Sequence, residues 1–144
     1  MRQSFFGRIE TLRTFEDHTP VLNTLSEPGE GRVLVVDAGG SLRVGVMGDR
    51  LAEIAVRNRW AGAVINGAIR DSAAIDGLSF GVKALGATAR RNWQPTRGDR
   101  GLKVSFGDVE FVSGHWIYAD RDAVIVSAGS LDVSAGESVT LRPE

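Results

Sequence analysis

Three residues carry most of the chemistry this chain can offer. Asp49 is followed by twenty residues and then by the adjacent pair Arg70-Asp71. Carboxylates bind hard divalent cations through oxygen, and a guanidinium grips a carboxylate or an oxyanion through paired N–H groups. Gly48-Asp49 reads as the start of the clearest helix in the sequence, with Asp49 as N-cap. The N–H groups of Arg50 and Leu51 would then lack intrahelical partners, and the helix dipole would favour an anion there. Arg70-Asp71 stands just past a buried strand, after Asn66-Gly67-Ala68-Ile69. In parallel α/β arrangements strand ends and helix starts gather in one crevice, where ligands bind. Each feature also has an ordinary structural use. An Asp at a helix start commonly only caps it, an Arg-Asp pair at a strand end commonly forms a solvated turn, and two carboxylates alone do not outline a metal site.

Other chemistries find less support. The chain has no cysteine, which removes disulfides, thiolate zinc sites and thiol nucleophiles. His18 follows Glu16-Asp17 and His115 falls in a turn at Ser113-Gly114, so both read as surface or turn residues. The two lysines, Lys83 and Lys103, both read as strand residues with nothing evident to depress a pKa, and a Schiff-base mechanism is not indicated. Seventeen basic residues nearly cancel eighteen acidic ones, without a run of either sign. Neither a nucleic-acid surface nor a membrane footprint is therefore expected. No stretch approaches the roughly 18 apolar residues of a membrane span, and Met1 to Phe6 lacks the apolar core of a signal peptide. A cytoplasmic protein is expected. With 144 residues, 42% apolar and 24% charged, the chain suits one domain over residues 1–144.

The elements that must position the three residues alternate between strand and helix. Phe6 to Phe15 reads as an irregular strand. Glu16-Asp17-His18-Thr19-Pro20 starts a short helix through Leu22 and Leu25, which stops at Pro28-Gly29. Arg32 to Asp37 is a β-branched run of the kind buried in sheets. Asp37-Ala38-Gly39-Gly40-Ser41 reads as a tight turn near the site, and Leu42 to Val46 as extended. In the helix opened by Gly48-Asp49, Arg50, Glu53 and Arg57 form a polar stripe, and Leu51, Ile54, Ala55 and Val56 should face the sheet. Ala61-Gly62 breaks it, and Ala63-Val64-Ile65 begins another buried strand, giving the order of a parallel crossover. Phe80 to Ala87 reads as a strand and Arg90 to Arg100 as irregular. Lys103 to Val112 predicts a hairpin around Gly107-Asp108. Trp116 to Tyr118 and Ala123 to Ser127 predict strands joined by Asp120-Arg121-Asp122, and the tail after Ser130 reads as polar and partly disordered. The expectation is one α/β domain with mixed sheets layered against helices.

The stretch VLVVDAGGSLRVGVMGDRLAEIAVRNRWAGAVINGAIRD, Val33 to Asp71, resembles the central block of the family that includes regulator-of-ribonuclease-activity A proteins and 4-hydroxy-4-methyl-2-oxoglutarate aldolases. The likeness continues through Phe80 to Thr88, Lys103 to Gly114 and Ile117 to Val126. It implies a swivelling β/β/α fold and a ring-shaped homotrimer, or a hexamer of two stacked rings, with sites at subunit interfaces. It also implies roles. Asp71 would bind Mg²⁺ or Mn²⁺ with waters completing the shell, and Asp49 would hold some of those waters. The backbone of Gly48, Asp49, Arg50 and Leu51, with the Arg70 side chain, would bind the carboxylate and keto oxygen of a small 2-keto acid. Asp49 and Arg70 would be catalytic. Cleavage beside a 2-keto group leaves an enolate, whose charge a cation and an arginine can stabilise as it develops. A metal-held water positioned by Asp49 is the candidate base for the 4-hydroxyl proton. The same enolate arises when oxaloacetate loses carbon dioxide, so decarboxylase activity is expected beside aldolase activity.

The chain also departs from the family pattern. The segment before Phe6-Gly7-Arg8-Ile9 is shorter than in relatives, where it helps to wall the site. Neither Glu137 nor Glu144 aligns with the acidic residue that some aldolases supply from a carboxyl-terminal extension. His115 stands where relatives commonly have Asp, and Trp93-Gln94-Pro95 is bulky for its loop. Trp60 reads as a packing anchor, as do Trp93 and Trp116 ahead of any contact with substrate or partner. The rival function within the family is a non-catalytic protein that binds a ribonuclease. Methyl transfer in menaquinone synthesis has less support, since no S-adenosylmethionine glycine motif follows a first strand.

Overall fold

A computed structural model describes residues 4–92 and 97–131. Four strands form its parallel centre: β1 (Phe5–Arg13), β2 (Val33–Asp37), β3 (Gly62–Ile69) and β4 (Gly81–Ala87), side by side in the order β4-β3-β2-β1. The sheet is completed to seven strands beyond β1. There β8 (Trp116–Ala119) and β9 (Val124–Ser127) continue it antiparallel, and β5 (Asp99–Arg100) pairs with the end of β1. A separate hairpin, β6 (Val104–Phe106) and β7 (Val109–Phe111), turns at Gly107-Asp108 as predicted. Both turn residues have positive φ.

Alternation along the central strands explains the layering. Leu34 and Val36 of β2, Ala63 and Ile65 of β3, and Leu12 of β1 point to one side. There they meet α1 (Thr19–Leu25), α2 (Asp49–Arg57) and α3 (Ser72–Asp76) through Val21, Leu25, Leu51, Ala55 and Ile75. Val33, Val35, Val64 and Ile9 point to the other side, against Val104 and Phe111 of the hairpin and Ile117 of β8. Strands covered on both faces need apolar side chains at consecutive positions, which is why RVLVVD and GAVI read as continuous apolar runs. The result is a mixed α/β domain in three layers, helices, curled sheet and hairpin.

Several expectations are corrected. On α2 the buried stripe is Leu51, Ala52 and Ala55, with Ile54 at its edge, while Val56 is 37% exposed. The helix stops at Arg57, with Asn58 as C-cap. Leu42 to Val46 forms no strand beyond a single bridge, Gly45 to Ala68. β3 runs past Asn66-Gly67 to Ile69 because a register shift between Ile65 and Ala68 absorbs the irregularity. Lys103 lies just before β6, where it pairs with Glu110 at 3.3 Å. Trp60 is the anchor expected of it: 3% exposed, its indole N–H donates to Glu27 O and Arg32 lies over its ring. Trp116 carries Arg8 over its ring, at 5.2 Å. Trp93-Gln94-Pro95, Glu137, Glu144 and most of the polar tail lie outside the described residues. No helix among the described residues is long and apolar enough to cross a membrane.

Candidate active site

Because β1 to β4 are parallel, their carboxyl ends open on one edge of the sheet, and the loops after β2 and β3 meet there. The segment after the Gly39-Gly40 turn runs beside the end of β3. Val46 N–H donates to Ala68 O at 2.9 Å, and Arg70 N–H donates to Met47 O at 2.7 Å. These bonds bring Gly48-Asp49 next to Arg70-Asp71, although twenty residues separate them in sequence. Asp71 adopts the left-handed region, φ 56° and ψ 40°, and is the N-cap residue of α3. That conformation is uncommon for a residue with a side chain and favours Asp and Asn among those that adopt it. It turns the chain sharply out of the strand.

The contacts at the start of α2 differ from the sequence reading. Gly48, not Asp49, is the N-cap, in an extended conformation (φ −122°, ψ −170°), and Asp49 is the first helical residue. The remote Asp71 takes up the first amide instead: its Oδ2 accepts from Asp49 N–H at 3.3 Å. The Asp49 carboxylate accepts from Arg50 N–H at 2.8 Å. A Cβ at position 48 would come within 2.7 Å of Asp71 Oδ2, so glycine is what lets the two segments close on each other. The positive end of the helix dipole thus faces two carboxylates, a placement that stabilises negative charge.

Arg70 is half-buried and seated from below. A Cβ at Gly45 would overlap its Cγ, and its Nε donates to Ala89 O at 3.2 Å. Gly45 N–H in turn donates to Arg90 O at 2.8 Å, which ties the loop after β4 to the same spot. Among the described residues no ion pair joins Arg70 to Asp49 or Asp71. A guanidinium and two carboxylates are therefore neighbours in the chain fold without neutralising one another. Arg50 and Asp71 are exposed, Gly48 and Asp49 are half-buried, and Leu51 turns its side chain into the core.

The metal question rests on Asp71. Among the described residues no group of three or more His, Asp or Glu converges. The donor set is then one exposed carboxylate on an open edge. That fits Mg²⁺ or Mn²⁺, which are commonly held by one or two carboxylates and keep several waters. His18 is the N-cap residue of α1, without a side-chain cap bond, and His115 sits in the turn before β8.

Gly45, Met47 and Ala89 escaped the sequence reading. Their contributions are a missing side chain and two carbonyls, and only the glycine spacing in Gly45-Val46-Met47-Gly48 could have hinted at them. The helix α3, a single turn after Asp71, was missed for lack of an apolar period.

The geometry defines a mixed α/β protein with an acid–base cluster at the ends of its parallel strands. The RraA-like family model, described as aldolase/RraA, matches residues 1–126. The chain is 49% identical over 130 residues to a protein of Aromatoleum aromaticum named "Putative 4-hydroxy-4-methyl-2-oxoglutarate aldolase", covering 90% of this chain and 82% of that one. A protein of Laribacter hongkongensis with the same name is 51% identical over 127 residues, covering 88% and 80%. Among solved structures, the RNA-processing inhibitor RraA from Thermus thermophilis superposes with a TM-score of 0.87 at 36% identity, covering 95% of this chain and 82% of that one. An S-adenosylmethionine:2-dimethylmenaquinone methyltransferase from Geobacillus kaustophilus gives 0.87 at 41% identity, covering 90% and 81%. The chain belongs to the RraA-like family.

Proposed function

We propose that this protein is a divalent-metal-dependent carbon–carbon lyase that cleaves 4-hydroxy-4-methyl-2-oxoglutarate, or a related 4-hydroxy-2-keto acid, to pyruvate and also decarboxylates oxaloacetate. One observation carries the reading: Arg70 and Asp71 are docked on the start of α2 beside Asp49 and are not spent on each other. The names of the aldolase relatives support it.

A cation on Asp71 would supply a Lewis acid for the keto oxygen of the substrate. The protein's own groups account for the rest. The first turn of α2 offers N–H groups and a positive dipole end to the substrate carboxylate. Two of those amides, Asp49 N–H and Arg50 N–H, already donate to the carboxylates of Asp71 and Asp49, which supports the first turn as a place for negative charge. Arg70, held by Ala89 O and packed on Gly45, keeps its terminal N–H groups in place for the oxygen on which charge develops. The proton of the 4-hydroxyl leaves to a water held by Asp49. The C3–C4 bond breaks as C4 becomes a carbonyl, and its electron pair moves into the pyruvate fragment, which takes up a proton at C3. Asp71 is exposed in the single chain, and a trimer or hexamer would give this edge its remaining walls.

The test is pyruvate release from both substrates, coupled to lactate dehydrogenase, with Mg²⁺ or Mn²⁺ and then with EDTA. Release that depends on the metal is expected. Its absence from folded protein with either metal would favour the second reading, a ribonuclease-binding regulator, which the name of the Thermus structure supports. A pulldown with purified ribonuclease at micromolar concentration tests that reading directly.

A further inference from the structure

The loop from β2 to α2 carries Gly45, Met47 and Gly48, so whatever fixes this loop fixes the site. One end is bonded to β3. The other is held by a side chain from a different part of the chain. Glu16, two residues beyond the Thr14 that follows β1, reaches across to the loop. Its Oε2 accepts from Ser41 Oγ at 2.7 Å and pairs with Arg43 Nε at 3.3 Å. Ser41 Oγ also accepts from Arg43 N–H at 3.2 Å, closing a small polar ring around residues 41–43. The Glu16 side chain is only 16% exposed, while that of Arg43 is 76% exposed. The arginine comes to the glutamate at the surface, and the glutamate is the fixed member.

The backbone shows that the side chain is what this position needs. Glu16 has φ 50°, the left-handed region that glycine or asparagine occupies at lower cost. A residue held there persists when its surroundings over-determine it. Those surroundings are visible. Thr14 N–H donates to Asp37 O, Thr14 Oγ1 donates to Asp17 O, and buried Asp17 accepts from Thr19 N–H. The β1–α1 loop is thus tied down on both sides of Glu16, which extends from it toward the loop after β2.

We infer that Glu16 is a positioning residue for the site: by clamping Ser41 and Arg43 it sets the path of Val44 to Gly48, and through it the seats of Arg70 and Asp71. It does not touch the substrate. The inference deepens the aldolase reading and rests on it for its catalytic consequence, though not for the clamp itself.

Two measurements on Glu16→Ala, Glu16→Gln and Ser41→Ala test it. Amide hydrogen exchange should quicken about tenfold at Gly45 and Val46 in Glu16→Ala, with Val35 and Ile65 in the core strands unchanged. Pyruvate release should lose at least about tenfold in kcat, with thermal unfolding little moved, because the catalytic groups and not the core are displaced. Glu16→Gln keeps an acceptor for the Ser41 hydroxyl and should recover most of both, and Ser41→Ala should add little to Glu16→Ala. Unchanged exchange at Gly45 and Val46 would overturn the clamp. Faster exchange with unchanged turnover would overturn the positioning role. If the unaltered protein releases no pyruvate, the aldolase reading fails first, and exchange alone then decides the clamp.

Discussion

Two clusters of charge meet the central sheet, and they handle it in opposite ways. At the middle of β1, Glu10 accepts from Arg32 at 2.8 Å and from Arg100 and Ser113 at 3.2 Å, with 15% of its side chain exposed. Arg100 also pairs with Glu27, and Arg32 donates to Pro28 O and Gly29 O. Every charge there has an opposite charge or a carbonyl to answer it. At the carboxyl ends of the strands, Asp71 and Asp49 accept backbone N–H groups, and Arg70 donates to a neutral carbonyl. The first arrangement staples β1, β2 and β5. The second leaves a cation and two anions held in place with interaction capacity for something else. On the proposed function, the neutralised charges hold the architecture, and the positioned but unneutralised ones are those left to act on a substrate.

The comparison breaks most sharply at Asp71. Asp71→Ala should lower metal-dependent pyruvate release by at least about a thousandfold, since it would remove the ligand proposed for the cation. Circular dichroism should show the fold retained. A variant with full activity would end the proposal. Next is Arg70→Lys, which keeps the charge and loses the planar fork. A drop on the order of a hundredfold in kcat/KM is expected, and a change in KM alone would mean that Arg70 only binds. Gly48→Ala sharpens the geometric claim. Its backbone is extended and tolerates any residue, so the expected loss of roughly tenfold to a hundredfold in metal affinity would come from the Cβ pushing on Asp71. Titration calorimetry with Mn²⁺ measures it.

Glu10→Ala tests the other side of the comparison. It should cost about 2 kcal/mol of stability in urea unfolding, from lost charged hydrogen bonds, and leave kcat and KM where they were. If it abolished turnover with stability intact, the division between staple and site would be wrong.

The sequence reveals this division only in part. The buried strands β2 and β3 were legible because two-sided burial demands consecutive apolar residues. The hairpin at Gly107-Asp108 was legible because its turn needs residues that tolerate positive φ. Asp49, Arg70 and Asp71 stood out by type and spacing, and the fold brings them together. What Asp49 does at the helix start was misread, because a cap is ordinarily local and here the carboxylate on the first amide comes from twenty-two residues away. The extension of β3 past Asn66-Gly67 was hidden for a similar reason. The pairing of the Val46 and Met47 backbone with its end is a tertiary fact with no local pattern. Glu16 was legible only as part of a helix start, since nothing near it in sequence announces Ser41 and Arg43 as its partners.

The smallest predicted effect concerns a carboxylate that belongs with the staples. Asp120, in the turn from β8 to β9, accepts from the N–H groups of Asp122 and Ala123 at 2.8 and 2.9 Å. These bonds, the first the larger, hold its carboxyl below the ordinary aspartate range, with a minor contribution from Lys83 and a small opposing effect of burial. Because the folded-state pKa lies below the unfolded one, the ionised form is favoured by folding. The stabilisation is complete above about pH 4 and disappears as pH falls through the lowered folded value. Asp120→Asn keeps an acceptor oxygen but cannot ionise. Its unfolding temperature should sit slightly below that of the unaltered protein at pH 6, and the two should converge on acidification. Since the group is solvent-exposed, the gap should be small and should shrink further in salt. A gap that widened toward low pH would mean that the turn is held by something other than this carboxylate. Pyruvate release at pH 7 should be the same in both, which again separates the charges that hold the chain from those that would act on a substrate.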